Sequence, residues 1–217
     1  MALENKGEIT PVFKRMSKAA SLFAILIGLL VLLGWLLNID VLKNISPFWI
    51  TLKVNAAFAF VLLGISLWLF EKEPKGPINW RQGVIYICAI IITLIGLLTV
   101  CEYLFNINLG IDNFLCRESE QAVQTTSPGR MAPATAISFL FFGVALLLFN
   151  VEMGRGKWPA QYLVFIPWII SLLAILGYFY GAKQLYQIST YTSMAFHTAL
   201  TLFILSLGFF SHSLTEV

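Results

Sequence analysis

Ionisable side chains inside long apolar runs are rare in this chain, and each is a candidate for chemistry. His197 sits about one turn into the last such run, and an intramembrane ionisable group defaults to a functional reading because burying it is costly. Its imidazole could hold a polar ligand or serve as the single axial ligand of a haem or chlorophyll-type pigment; it could equally be a ring bonded to a loop carbonyl near the membrane interface. The second histidine, His212, lies on the same run roughly 22 Å away at about 1.5 Å per residue, so the two cannot clamp one iron from one helix. Its position suggests the inner headgroup region. Glu102 closes the third apolar run, where a carboxylate could pair with Arg117, Arg130 or Lys183, face a polar ligand, or snorkel to the interface. No second acidic residue lies in a run, which leaves a proton relay without its chain of groups. Cys101 and Cys116 both fall toward one side, so a disulfide tying a long loop to the third run is open if that side is oxidising. No nucleophile with an adjacent base, phosphate loop or metal cluster is visible, and the expectation is a protein that is not an enzyme.

The elements that must position these residues are repeated. Leu52 to Gly64 reads LKVNAAFAFVLLG, Met131 to Gly143 reads MAPATAISFLFFG, and Met194 to Ser206 reads MAFHTALTLFILS. Asn55, Ala134 and His197 occupy one position of this motif, and Thr135 and Thr198 share the next. A shorter element precedes each copy: Gly34-Trp35, Glu102-Tyr103 and Gly177-Tyr178, with Glu102 standing where the other two carry glycine. Repetition of this kind specifies architecture more strongly than any single residue. Packed side by side, the copies would bring Asn55, His197, Thr135 and Thr198 to one cavity, with Glu102 and Arg130 beside it.

Composition decides the solvent. At 59% hydrophobic and 12% charged residues, with a mean hydropathy of +0.83, the chain is far more apolar than a soluble domain. Its net charge of +3 is small and scattered, which argues against a nucleic-acid partner. The first apolar run is long enough to span and lacks a small-x-small cleavage site after it, so it reads as a retained helix rather than a signal peptide. The fold expected is all-α: an integral membrane six-helix bundle of three repeated transmembrane hairpins. Its spans fall at 17–37, 52–70, 84–105, 131–150, 162–180 and 193–211, in repeats of about 17–70, 84–150 and 162–211.

Residues 1–16 read as a cytoplasmic tail in which Pro11 breaks any long helix, and 212–217 as a short cytoplasmic end. Lys6, Lys14, Arg15, Lys18, Lys72, Lys75, Arg81, Arg155 and Lys157 against Lys43, Lys53, Arg117, Arg130 and Lys183 favour both termini inside. Trp35, Trp49, Tyr103, Tyr178, Tyr180 and Tyr191 then form an outer aromatic belt, and Trp68, Trp80 and Trp158 an inner one. Pro167 is expected to kink the fifth span, and Gly177 with Gly181 makes a GxxxG pattern that permits close helix approach.

The Gly-aromatic pair followed by MA-x-H-T-A-L, as in Gly177-Tyr178 and Met194 to Leu200, resembles the N-terminal multi-pass (MASE-like) sensor region of bacterial histidine kinases and diguanylate cyclases. The resemblance spans Ser17 to Ser211 and departs from the motif at Ala134 and Ser206. It implies a sensor or input domain in the bacterial inner membrane that binds a small or lipophilic ligand near the outer leaflet. A cytoplasmic kinase or cyclase module would act in cis, in a homo- or hetero-oligomer. No such module follows Ser211 within this sequence. The competing expectation is therefore a non-catalytic subunit of a larger membrane complex, contacting a haem, pigment or quinone; a small transporter is a third, without the midplane charges such sites show.

Overall fold

Each apolar run becomes a helix because only intrahelical hydrogen bonds satisfy a backbone surrounded by apolar groups. The computed structural model describes residues 6–43, 50–70, 79–111, 129–151, 158–188 and 191–214. Among the described residues it is all-α, with seven α-helices: α1 (Lys6–Leu36), α2 (Asp40–Lys43), α3 (Val54–Leu69), α4 (Trp80–Phe105), α5 (Pro133–Leu147), α6 (Pro159–Tyr180) and α7 (Phe196–Leu214).

Four of these, α1, α4, α6 and α7, are long and apolar enough to cross a membrane. Helices α3 and α5 are shorter, at 16 and 15 residues, or about 23 Å against a hydrocarbon layer of roughly 30 Å. The sequence predicts spans beginning at Leu52 and Met131, but Leu52–Lys53 and Met131–Ala132 are extended and the helices start after them. Pro11 also departs from expectation, since α1 runs through it from Lys6. It lies in the second turn, where the missing N–H costs one bond to the carbonyl of Gly7 and the helix beyond propagates unhindered.

The helices close into a ring in the order α1, α3, α4, α5, α6, α7 and back to α1. Three are peripheral. Leu22, Leu26, Leu29 and Leu33 on α1, Ile87, Ile90, Leu94 and Leu97 on α4, and Phe165, Ile169, Leu173 and Leu176 on α6 form exposed apolar stripes at helical spacing. Such belts suit lipid rather than water. The other three, α3, α5 and α7, are central, and large side chains fill the space between them. Phe60 meets Phe139 edge-on at 5.1 Å, Phe149 meets Phe209 at 5.4 Å, and Phe70 meets Phe149 at 3.7 Å between ring centroids.

Close approach within two adjacent pairs rests on reciprocal glycines. A Cβ at Gly28 of α1 would stand 2.7 Å from the Ala57 carbonyl of α3, and one at Gly64 of α3 would stand 2.7 Å from the Ser21 carbonyl of α1. Gly96 of α4 meets Ala136 and Leu140 of α5 in the same way, and Gly143 of α5 meets Ala89 and Thr93 of α4. Between α6 and α7 the corresponding residues are Ser171 and Ser206, and Trp168 stacks on Phe203 with ring centroids 6.2 Å apart. Hydroxyls in the bundle bond back along their own helices, as Ser138 does to the Ala134 carbonyl and Thr201 to that of His197, both at 2.7 Å.

Gly64→Val should separate α1 from α3 and cost about 1–3 kcal/mol, because the group it strikes is backbone. Gly83→Ala, with nothing within 4 Å of its Cβ, should lose nothing and gain helix propensity. Thermal unfolding of the detergent-solubilised protein followed by circular dichroism checks both.

Candidate functional site

The site forms where the peripheral helices end and the central ones begin, here called the upper end. Each peripheral helix terminates on a residue with positive φ: Asn38 at 55°, Asn106 at 51° and Gly181 at 67°. The following N–H then turns back to a carbonyl of the last turn, Ile39 to Gly34 at 2.8 Å, Ile107 to Glu102 at 3.2 Å and Ala182 to Gly177 at 2.8 Å. This closes orphan carbonyls that an apolar setting would otherwise leave costly. Gly181 is thus a helix terminator. Gly177 makes room for the turn that follows, facing Leu185 and Tyr186 as Gly34 faces Leu42. The GxxxG pattern serves the chain reversal and not the packing of two helices.

An extended segment then leads into each central helix, and one bond recurs in all three. Trp35 Nε1–H donates to the Leu52 carbonyl at 2.9 Å, Tyr103 O–H to that of Met131 at 2.9 Å and Tyr178 O–H to that of Met194 at 2.7 Å. The predicted belt is divided by this. Trp35, Tyr103 and Tyr178 are half-buried structural donors, while Tyr180, Trp68 and Trp80 are exposed as belt residues are; Trp49 lies outside the described residues. Each donor ring is itself covered, Trp35 by the Lys43 ammonium at 5.1 Å, Tyr103 by the Arg130 guanidinium at 5.3 Å and Tyr178 by the stacked Tyr186 ring at 4.2 Å.

Glu102 is fully buried, at 0% exposure, so it is not a snorkelling residue. Of the partners the sequence offers, it meets Arg130: Arg130 Nε lies 3.3 Å from Glu102 Oε2, Leu109 N–H donates to Glu102 Oε1 at 2.8 Å, and Arg130 Nη2 donates to the Ile107 carbonyl at 3.2 Å. Arg117 lies outside the described residues. The carboxylate occupies the place that Gly34 and Gly177 leave for a folded-back turn.

The three extended segments enclose a crevice of about 10 Å3, lined by Thr51, Leu52 and Lys53, by Met131, Ala132 and Thr135, and by Thr192, Ser193, Ala195 and Thr198, with Ile50 and Ala56. Thr135 and Thr198 therefore meet there. Asn55 and His197 do not line it; Asn55 accepts the Ala56 N–H on Oδ1 at 2.8 Å. His197 is 6% exposed, and neither ring nitrogen has a hydrogen-bond partner among the described residues. Lys53 and Ser193, which the sequence reading did not single out, line the crevice while buried to 3% and 2% exposure. The one available signal for Lys53 was a lysine inside a repeated apolar motif where the other copies carry alanine. Cys101 is half-buried, and its suggested partner Cys116 lies outside the described residues. Among the described residues no group of three metal-ligating side chains occurs.

At the lower end His212 is enclosed rather than set among headgroups. Its Nε2 donates to the Phe70 carbonyl at 3.0 Å and its ring packs edge-on against Phe70 and Phe149. This satisfies a carbonyl at the end of α3 from the last turns of α7. Beside it Gln161 of α6 donates to the Ser213 hydroxyl.

Comparison with protein-family models, curated proteins and solved structures finds no match.

Glu102→Leu should strand the buried Arg130 guanidinium and destabilise the fold by about 3–5 kcal/mol. Glu102→Gly combined with Arg130→Thr, the residues at the first hairpin's matching positions, should cost clearly less than the single change. Denaturant melts of the two variants in one detergent give the comparison.

Proposed function

We propose that the chain is a membrane-embedded sensor or input domain of a bacterial signalling protein. In this reading α1 and α3 to α7 are three repeated transmembrane hairpins in the bacterial inner membrane, both termini are cytoplasmic, and the upper end faces the outer leaflet. The observation that carries it is the crevice, in which the leads of all three central helices meet around polar side chains at the end of an otherwise apolar bundle. A small or lipophilic ligand that inserts one group there would touch the leads of α3, α5 and α7 together. Helix α7 runs from that crevice to the His212 bond with Phe70 and the Ser213 bond with Gln161 at the opposite face. A ligand that prefers one packing of the central helices over another would shift α7 against α3 and α6, which is the differential affinity a signal requires. A kinase or cyclase module in cis, or a separate membrane subunit in a homo- or hetero-oligomer, would read that shift.

His197 supports a second reading. A buried imidazole with both nitrogens unpartnered among the described residues suits contact with a haem, pigment or quinone in a larger complex. A visible absorption band in protein purified from its native membrane, abolished by His197→Ala, would select this reading over the first.

With a histidine-kinase module fused after Val217, His212→Phe and Thr198→Val should each change basal autophosphorylation several-fold. The His212 substitution removes one bond worth about 1 kcal/mol from the folded state, so a stable variant with altered output is expected. Output identical to the parent in both variants would defeat the sensor reading.

A further inference from the structure

We infer that the crevice at the upper end is built for a small anionic group, a halide ion or one oxygen of a carboxylate or phosphate; this rests on the reading of the crevice as a ligand site and specifies the ligand's charge.

Four features converge on that sign. The first is the direction of the helices. Lys53, Ala132 and Ala195, the residues immediately preceding α3, α5 and α7, all line the same crevice. Three helix N-termini thus border one crevice, each carrying partial positive charge. The residues before α3 and α5, Lys53 and Ala132, make no side-chain cap bond, and Asn55 Oδ1 takes the Ala56 N–H of α3. The second is Lys53, a cationic residue that lines the crevice, is 3% exposed and donates from Nζ to the Thr51 hydroxyl at 3.3 Å.

The third is an unused donor. Ser193 Oγ is buried with no hydrogen-bond partner among the described residues, and Ser193 lines the crevice. A buried hydroxyl without a partner costs free energy that a ligand atom would recover. The fourth is what has been turned away. The carbonyls of Leu52, Met131 and Met194, which would repel an anion, accept bonds from Trp35, Tyr103 and Tyr178 on the peripheral helices. Among the described residues no carboxylate lines the crevice, and the nearby Glu102 is engaged by Arg130 and the Leu109 N–H.

Size narrows the class. A volume of about 10 Å3 is close to one water-sized probe, so a single anionic oxygen fits, and a halide larger than fluoride requires the lining side chains to give way. A free anion in solution and the headgroup of an anionic lipid share this chemistry.

The full chain in phosphatidylcholine nanodiscs, in a HEPES buffer adjusted with Tris base and free of halide, carboxylate and phosphate ions, is titrated with chloride, acetate and phosphate while its thermal unfolding is followed by tryptophan fluorescence. A second arm omits the small anions and uses nanodiscs containing phosphatidylglycerol. A saturable upward shift is expected in at least one arm, and the responding arm identifies the source. Lys53→Gln should weaken the response by about tenfold, Ser193→Ala by several-fold, and the exposed Lys183→Gln not at all. No saturable shift in either arm overturns the inference, as does a loss equal in Lys183→Gln and Lys53→Gln, or a response unchanged in Ser193→Ala. If Lys53→Gln fails to fold, the serine variant decides. Saturable anion binding with fused-kinase output unaltered by Thr198→Val and His212→Phe keeps this inference and removes the sensor reading. Altered output without anion binding does the reverse.

Discussion

The structure depends on satisfying the backbone of three extended segments that run into an apolar bundle. Helices solve that problem internally, but the residues ahead of α3, α5 and α7 do not have helical partners and are buried in the bundle. The bonds from Trp35, Tyr103 and Tyr178 supply the missing donors. Two further bonds, from Leu52 N–H to the Lys43 carbonyl at 3.1 Å and from Met194 N–H to that of Tyr186 at 2.8 Å, tie the same segments to the turns above. With the leads fixed in this way, the central helices begin below the ends of their neighbours. The space left over is the crevice. Its polar lining is therefore a consequence of how the chain reverses direction rather than an addition to a finished bundle.

One of the three reversals is built differently. Where Gly34 and Gly177 accept the side chain of a folded-back turn, Glu102 brings its own carboxylate into the space and binds Arg130 and the Leu109 N–H. A buried ion pair is weak evidence for stability, but it is sensitive to the removal of either partner and so fixes a conformation. The long connection that follows Glu102 leaves and returns through these two residues. An asymmetric reversal among three similar ones makes the upper end chemically distinct on one side.

The two ends of the central helices contrast in chemistry. At the upper end the triple position holds Ala56, Thr135 and Thr198; at the lower end it holds Phe70, Phe149 and His212, with rings in contact and the histidine bonded to the end of α3. Between them the axis is filled by phenylalanine and leucine. An end of small side chains and an end of large aromatic ones are joined by the same three helices.

The sequence by itself determined the solvent, the helical class and the positions that correspond between copies, because these follow from composition and from the order of residue types along the chain. The equivalence of Leu52, Met131 and Met194, and of Thr135 with Thr198, was legible in that order; so was the exceptional standing of Glu102. The starts of α3 and α5 were not, since extended and helical apolar residues look alike until the donors for their backbone are known. The roles of Trp35, Tyr103 and Tyr178 as carbonyl donors, of Gly181 as a terminator, and of His212 as a tie to Phe70 each required a partner distant in the chain. Lys53 and Ser193 came to the crevice for the same reason. Only the tertiary structure decides which face of a central helix meets the axis, because that depends on the reciprocal glycine contacts between neighbours and on the phenylalanines that hold the three central helices apart.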